Sequence, residues 1–251
     1  AGLYSHKSNK VIEIDECLIA VDKINESKVF DRYWDGDDRL SLSVTSENEL
    51  NIHRKGEIIL GSNVLKQIVE DNTYKISPMS FWQSHYNAPR ILLKQVLKFA
   101  DIKLGDIVCD LYGGSGLFTA SIAKLIGEVG EVHLVERNND CIRDAKKMFQ
   151  NKNNVIIHHG KVEQKLGKIK QIDIIIIDPP RNGVSKQVIY QIIDKKPKSI
   201  IYVSCDPSSL ARDTKILLGN NYILNEVVAL DLFPMTHHIE CIGFFTRKML
   251  N

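Results

Sequence analysis

Cysteine is scarce and scattered in this 251-residue chain. Cys17, Cys109, Cys141, Cys205 and Cys241 are odd in number and form no C-x-x-C pair, which argues against a disulfide framework and against a zinc or iron–sulfur site. Long apolar runs are missing as well. The stretch from Ile172 to Ile177, interrupted by Asp173, falls far short of the ~20 residues that cross a bilayer, so no membrane partner is expected. The opening residues lack a basic stretch followed by an apolar one, so no secretory signal is read and a cytoplasmic location is expected. Nor is there an excess of one charge. A formal net charge of +2 neither demands nor excludes a nucleic-acid partner, and the Lys195-Lys196-Pro197-Lys198 cluster reads as a solvated loop. No repeat or low-complexity tract is visible. The 43% hydrophobic content suffices for one ordinary core and a smaller second domain.

The texture changes along the chain. Residues 1–75 carry short alternating stretches, such as Leu40 to Thr45, and turn signals at Asp35-Gly36 and Lys55-Gly56, and read as a small α+β domain. Within residues 76–251, Ile91, Leu92, Val96 and Phe99 follow helical spacing. Apolar strands then alternate with amphipathic helices, the pattern of a parallel sheet covered on both faces. Strands are expected at Ile107 to Leu111, Glu131 to Glu136, Val155 to His158, Ile172 to Asp178 and Ser199 to Cys205. The runs Ile223 to Leu230 and Cys241 to Thr246 have no helix between them and suggest a closing antiparallel hairpin.

Three of these strand ends carry chemistry. After the first comes Asp110 to Phe118 (DLYGGSGLF), a glycine loop opening a helix, where doubly wound folds hold a nucleotide against backbone amides. The third glycine of the dinucleotide fingerprint is absent, which disfavours a pyrophosphate-binding dehydrogenase. About 20 residues on, Glu136 ends the next strand, in position to accept hydrogen bonds from both ribose hydroxyls of an adenosine. Without a ligand, the glycines are a tight turn and Glu136 a solvated strand end. Asp178-Pro179-Pro180-Arg181 closes a third apolar strand on the same side and favours the ligand reading.

Cys205 follows a further apolar strand and precedes a helix near Ser208, whose N-terminal dipole is expected to lower the thiol pKa. A cysteine is more often inert core, and Cys109, Cys141 and Cys241, which lie inside elements, are read that way.

Ser80 to Gln83 (SFWQ), Asp110 to Gly114 (DLYGG), Val135-Glu136, Asp178 to Gly183 (DPPRNG), Tyr202 to Cys205 (YVSC), Leu210 to Asp213 (LARD) and Asp231 to Glu240 (DLFPMTHHIE) together resemble the motifs of the 5-methyluridine RNA methyltransferases. That family holds the S-adenosylmethionine-dependent uracil-C5 enzymes of tRNA and 23S rRNA, and the likeness runs from about Ser80 onward. It implies an α/β fold, a Rossmann-like seven-stranded class I methyltransferase domain behind the small N-terminal α+β domain. It further implies that Gln83, Tyr112, Glu136 and Asp178 contact S-adenosylmethionine, that Cys205 is the nucleophile and that Glu240 is the general base, once a hairpin near Phe233-Pro234 folds over Cys205. Uracil C5 is a poor nucleophile until a thiolate adds to C6, and a base must then take the C5 proton. The target base must be unstacked; Phe81, Trp82 and Phe233 are candidate platforms, though aromatics are more often core. Arg181 and Arg212 are expected on RNA, on carboxylates or in structural ion pairs.

The chain departs from the family pattern at Gly113 and Leu117. It departs again at Asp206, whose charge beside Cys205 is expected to oppose thiolate formation. The family's N-terminal β-barrel and cluster-binding cysteines have no counterpart here, and the opening residues resemble the middle of the family's central domain, so a fragment or reduced form is expected. Two other readings stand beside this one: a nucleic-acid amino-methyltransferase, which Asp178-Pro179-Pro180 suggests and Arg181 disfavours, and a non-catalytic RNA-binding protein retaining the fold.

Overall fold

The computed structural model describes residues 1–5, 8–34 and 39–248. The chain divides into two compact units, Ala1–Met79 and Ser80–Asn251.

In the first unit β1 (Gly2–Tyr4) pairs antiparallel with β2 (Val11–Glu13), and a short helix α1 (Asp22–Glu26) follows. Strands β3 (Leu40–Val44), β4 (Leu50–Arg54) and β5 (Glu57–Leu60) form an antiparallel sheet, and β6 (Leu65–Val69) and β7 (Asn72–Ile76) a hairpin. Lys55 and Gly56 join β4 to β5 with φ of 51° and 86°, the doubly left-handed backbone of a type I′ turn that matches strand twist. The other turn signal, Asp35-Gly36, lies outside the described residues.

The second unit opens with α2 (Ala88–Ala100), which buries Leu92, Leu93, Val96 and Phe99; Ile91 is only half-buried. Then come β8 (Ile107–Leu111), α3 (Leu117–Leu125), β9 (Glu131–Glu136), α4 (Asn139–Met148), β10 (Val155–His159), α5 (Val162–Lys165), β11 (Ile174–Ile177), α6 (Lys186–Lys195), β12 (Ser199–Ser204), α7 (Pro207–Leu218), β13 (Tyr222–Leu230) and β14 (Glu240–Arg247). The seven strands lie in the order β10-β9-β8-β11-β12-β14-β13, parallel except for β14. The four isoleucines of β11 are all buried, as expected of a central parallel strand covered on both faces. Cys109, Leu111, Ile175 and Ile177 meet Val162, Val188, Ile192 and Leu210 of α5, α6 and α7 on one face, while α2 and α3 pack on the other. Cys109, Cys141 and Cys241 are buried.

Two expectations change. The strand expected from Ile172 begins at Ile174, because Asp173 is turned aside to accept the Ile107 N–H at 2.8 Å. The lysine cluster is no free loop: Lys195 Nζ donates to the Gly167 and Ile169 carbonyls, Lys196 ends α6 in the left-handed region, and Lys198 Nζ pairs with Asp106 at 2.6 Å.

Candidate active site

Sheet order reverses between β8 and β11, and in open α/β sheets the crevice beyond the strand carboxyl ends at such a point is where ligands bind. The glycine loop leaves β8 there. Tyr112 is held at φ 62°, a region costly for a bulky residue and therefore fixed by its surroundings. Half-buried against the core, its phenol is pushed up to about 12 by burial and then by Glu163.

The three glycines do different work. A Cβ on Gly116 would stand 2.5 Å from the Phe149 ring, and one on Gly113 would stand 3.0 Å from the Asp110 carboxylate and from Leu134. Those two serve packing. Gly114 alone faces open space, and its N–H donates to Glu136 Oε2 at 3.1 Å. Glu136 Oε1 accepts from the Arg137 and Asn138 N–H groups, both at 2.6 Å. Three of a carboxylate's four acceptor positions are thus filled, so two ribose hydroxyls would fit only if the longest bond, to Gly114, gave way.

Asp110 received no role from its position in the sequence, yet it braces this loop. It is fully buried, its Oδ2 accepts the Thr119 N–H at 3.2 Å and the Thr119 hydroxyl at 2.6 Å, and its Oδ1 is buried with no partner. Burial pushes its carboxyl up to about 7, against the Thr119 bonds.

Asp178 continues β11 by one residue, and its N–H reaches the Leu111 carbonyl at 3.2 Å. Gln83 Nε2 lies 3.5 Å from Asp178 Oδ2, at the outer limit of a hydrogen bond. The segment carrying Gln83 is tied down by Ser80, whose hydroxyl donates to Asp144 on α4 at 2.6 Å. Burial, then Glu240 and Asp110, push Asp178 up to about 8.

Cys205 and Glu240 come near each other through sheet register. Ser204 pairs with Cys241 at the end of the antiparallel β12–β14 ladder; Cys205 follows that pair on one strand and Glu240 precedes it on the other, near enough for the Glu240 charge to act on the thiol. Glu240 is buried and Cys205 half-buried.

Two expectations about the thiol are corrected. The thiol is raised and not lowered. Burial raises it, Glu240 raises it further, Arg181 opposes, and Asp178 raises it again. Asp206 is not the opposing charge: it caps α7, accepting the Ser209 N–H at 2.8 Å. Burial likewise raises Glu240, and Arg181 lowers it. Arg181 Nη2 lies 3.3 Å from His238 Nε2, and His238 meets the Phe233 ring edge-on. Phe81 is exposed and Trp82 half-buried.

Arg212 makes a structural pair. It holds Asp213 at 2.8 Å and donates to the Asn182 carbonyl at 2.9 Å. Asp213 is buried and also accepts from the Val184 N–H at 3.0 Å and the Tyr202 hydroxyl at 2.7 Å. This clamp fixes the loop after Asp178, and no spacing rule announces it.

The solved tRNA (uracil-54, C5)-methyltransferase of Pyrococcus abyssi, in complex with S-adenosyl-L-homocysteine, shares this fold over 97% of the present chain and 72% of its own, with 24% identity and a TM-score of 0.74. The fold is therefore that of the class I methyltransferases. The model of the tRNA (uracil-5-)-methyltransferase family matches residues 38–248, and the chain belongs to that family. An uncharacterised RNA methyltransferase of Streptomyces avermitilis is 31% identical over 97% of this chain and 63% of its own length; another, from Bifidobacterium longum, is 35% identical over 76% and 47%. The chain thus spans less than two thirds of the length of these relatives.

Proposed function

We propose that the chain carries the catalytic part of an enzyme that methylates C5 of a uridine in structured RNA, a tRNA or 23S rRNA, in the cytoplasm. The observation that carries this reading is the gathering of Cys205 and Glu240, which flank the last β12–β14 pair, with Asp178 and Arg181 as the charges acting on the thiol.

The cofactor's fit rests on the open space at Gly114 and on the acceptor set of Glu136. Glu136 would take the ribose, and Tyr112, Gln83 and Asp178 the remainder. S-adenosylmethionine supplies an electrophilic methyl group when bound. Cys205 as thiolate adds to C6, the C5–C6 π electrons move toward O4, and C5 gains the nucleophilicity that methyl transfer needs. Glu240, made more basic by burial, takes the C5 proton. The C5–C6 double bond re-forms as the C6–S bond breaks and the thiolate leaves. Arg181 opposes the rise that burial and Glu240 impose on the thiol, and so favours the thiolate.

A trapping experiment tests this reading. Fluorine at C5 cannot leave as a proton, so RNA carrying 5-fluorouridine, incubated with the chain and S-adenosylmethionine, should yield an adduct that survives denaturing electrophoresis and maps by mass spectrometry to Cys205. Cys205→Ala should yield none. An adduct on another residue, or equal adduct in the variant, would refute the assignment.

A further inference from the structure

The first unit carries a polar sheet face that the chemistry above does not use. Ser41 pairs with His53 and Ser43 with Asn51 across β3 and β4, so by the two-residue alternation of strands these four share one face. Ile52, on the opposite face, is core. Asn51 is fully buried and His53 nearly so, at 7% exposure. Yet both side-chain atoms of Asn51, Nδ1 of His53 and Oγ of Ser43 are buried without a hydrogen-bond partner. Orphaned buried polar atoms are costly and few in native proteins. Of these residues, His53 also lines a recess on this unit.

A recess of about 560 Å³ opens beside this strip, lined by Tyr4, Arg39, Ser41, His53, Lys55 and Met79 among others. That volume suits a mononucleotide. Among the described residues the lining offers guanidinium, ammonium, imidazole and hydroxyl donors, groups suited to a phosphate. Tyr4 offers a ring, with the Arg39 guanidinium 5.1 Å from its centroid, a stacked pair of the kind nucleobases join. Burial lowers the His53 pKa, so the imidazole stays neutral near pH 7, a donor at one nitrogen and an acceptor at the other.

We propose that this recess binds one nucleotide of the RNA strand, its phosphate on Arg39 and Lys55 and its base on Tyr4, with His53 contributing a hydrogen bond. The inference rests on the RNA reading above and adds to it an RNA contact made wholly by the first unit.

The test uses the full chain carrying Cys205→Ala, without cofactor, and a fluorescently labelled 12-nucleotide oligouridylate as probe, with affinity followed by anisotropy against salt. Arg39→Ala, at an exposed position, should weaken binding about fivefold to tenfold and reduce the slope of log affinity against log salt by about 0.7, the share of one single-strand phosphate. Tyr4→Ala should weaken binding about tenfold while Tyr4→Phe retains it, since the ring and not the hydroxyl stacks. The His53 imidazole resonances should shift on addition of the oligomer. Unchanged affinity and slope in Arg39→Ala, or unmoved His53 resonances, would overturn the proposal and leave water as the partner of the orphaned groups. Displacement of the oligomer by equimolar uridine monophosphate would overturn it in favour of a free nucleotide, and displacement by inorganic phosphate in favour of a simple anion site. Absence of binding at hundreds of micromolar would overturn it as well. Trapping with 5-fluorouridine separates the two readings: Arg39-dependent binding without any adduct leaves the recess standing and removes the methylation, and an adduct with Arg39-independent binding does the reverse.

Discussion

Burial raises the half-buried Cys205 thiol and Glu240 raises it further, and Arg181 is the cation that opposes them. The same guanidinium lowers Glu240. Removing it disfavours both anions, so both pKa values must rise. In Arg181→Gln the pH profile of Cys205 alkylation by iodoacetamide, read by peptide mass spectrometry, should move to higher pH, and the rising limb of kcat/KM should follow it. Arg181→Lys, which keeps a charge, should restore part of the shift. A profile that does not move would mean that Arg181 serves only its neighbour His238. Little of this was legible in the sequence. The helix after Cys205 and the acid at Asp206 are local signals, and both pointed to effects on the thiol. The direction that holds is set by burial and by Glu240, which becomes a neighbour only through strand register, and Asp206 turns away to cap its own helix.

The loop from Pro179 to Val184 owes its shape to α7 and β12. Asp213 on α7 receives N–H or O–H donors from Val184, Tyr202 and Arg212, and Gly183 at φ +70° leaves only enough room for the Arg212 and Asp213 side-chain atoms, which a Cβ would meet at 2.5 and 2.7 Å. Tyr202→Phe deletes one hydrogen bond to a buried carboxylate and should cost about 1.5–3 kcal/mol, seen as a lower urea midpoint at unchanged slope. Gly183→Ala should cost about 1–2 kcal/mol from its backbone conformation alone, and the steric conflict adds to that. If either variant unfolds like the parent protein, the clamp contributes nothing to stability. The strands themselves could be read from sequence, because apolar runs bounded by turn residues have one favourable place in a parallel sheet. The expected Ile107 to Leu111 and Glu131 to Glu136 are the observed β8 and β9. Side-chain ties between elements, such as Asp173 on Ile107 or Asp213 on Val184, join residues distant in the chain and leave no periodic trace.

Across the whole molecule, protonation links the site to stability, and the two units report separately. Trp34, bonded to the Val29 carbonyl, lies in the first unit and Trp82 in the second, so Trp34→Phe makes fluorescence a probe of the second unit alone. Burial raises Asp110 to about 7 and Asp178 to about 8. A carboxyl raised above its unfolded value, near 3.9, contributes stability that is complete below that value and lost as pH climbs through the folded one. For Asp110 the loss runs from about pH 4 to about pH 7 and is on the order of a few kcal/mol. Two histidines work in the opposite sense. His133 and His158, with Nδ1 and Nε2 of the pair 3.0 Å apart, are both lowered, chiefly by burial. Their contribution is complete above an unfolded value near 6.5 and lost as pH falls below it. Below about pH 6.5 the histidines oppose the carboxylates, and above it the carboxylates act alone. The melting temperature of the second unit should therefore fall more steeply with rising pH between about pH 6.5 and 8 than below about pH 6.5. Asp110→Asn removes one carboxylate from the balance. Its melting temperature should then fall less steeply than that of the parent as pH rises from about 4 to about 7. A variant profile parallel to the parent across the whole range would mean that Asp110 is ionised in the folded protein, and the orphaned Oδ1 would then have to face a partner in solution.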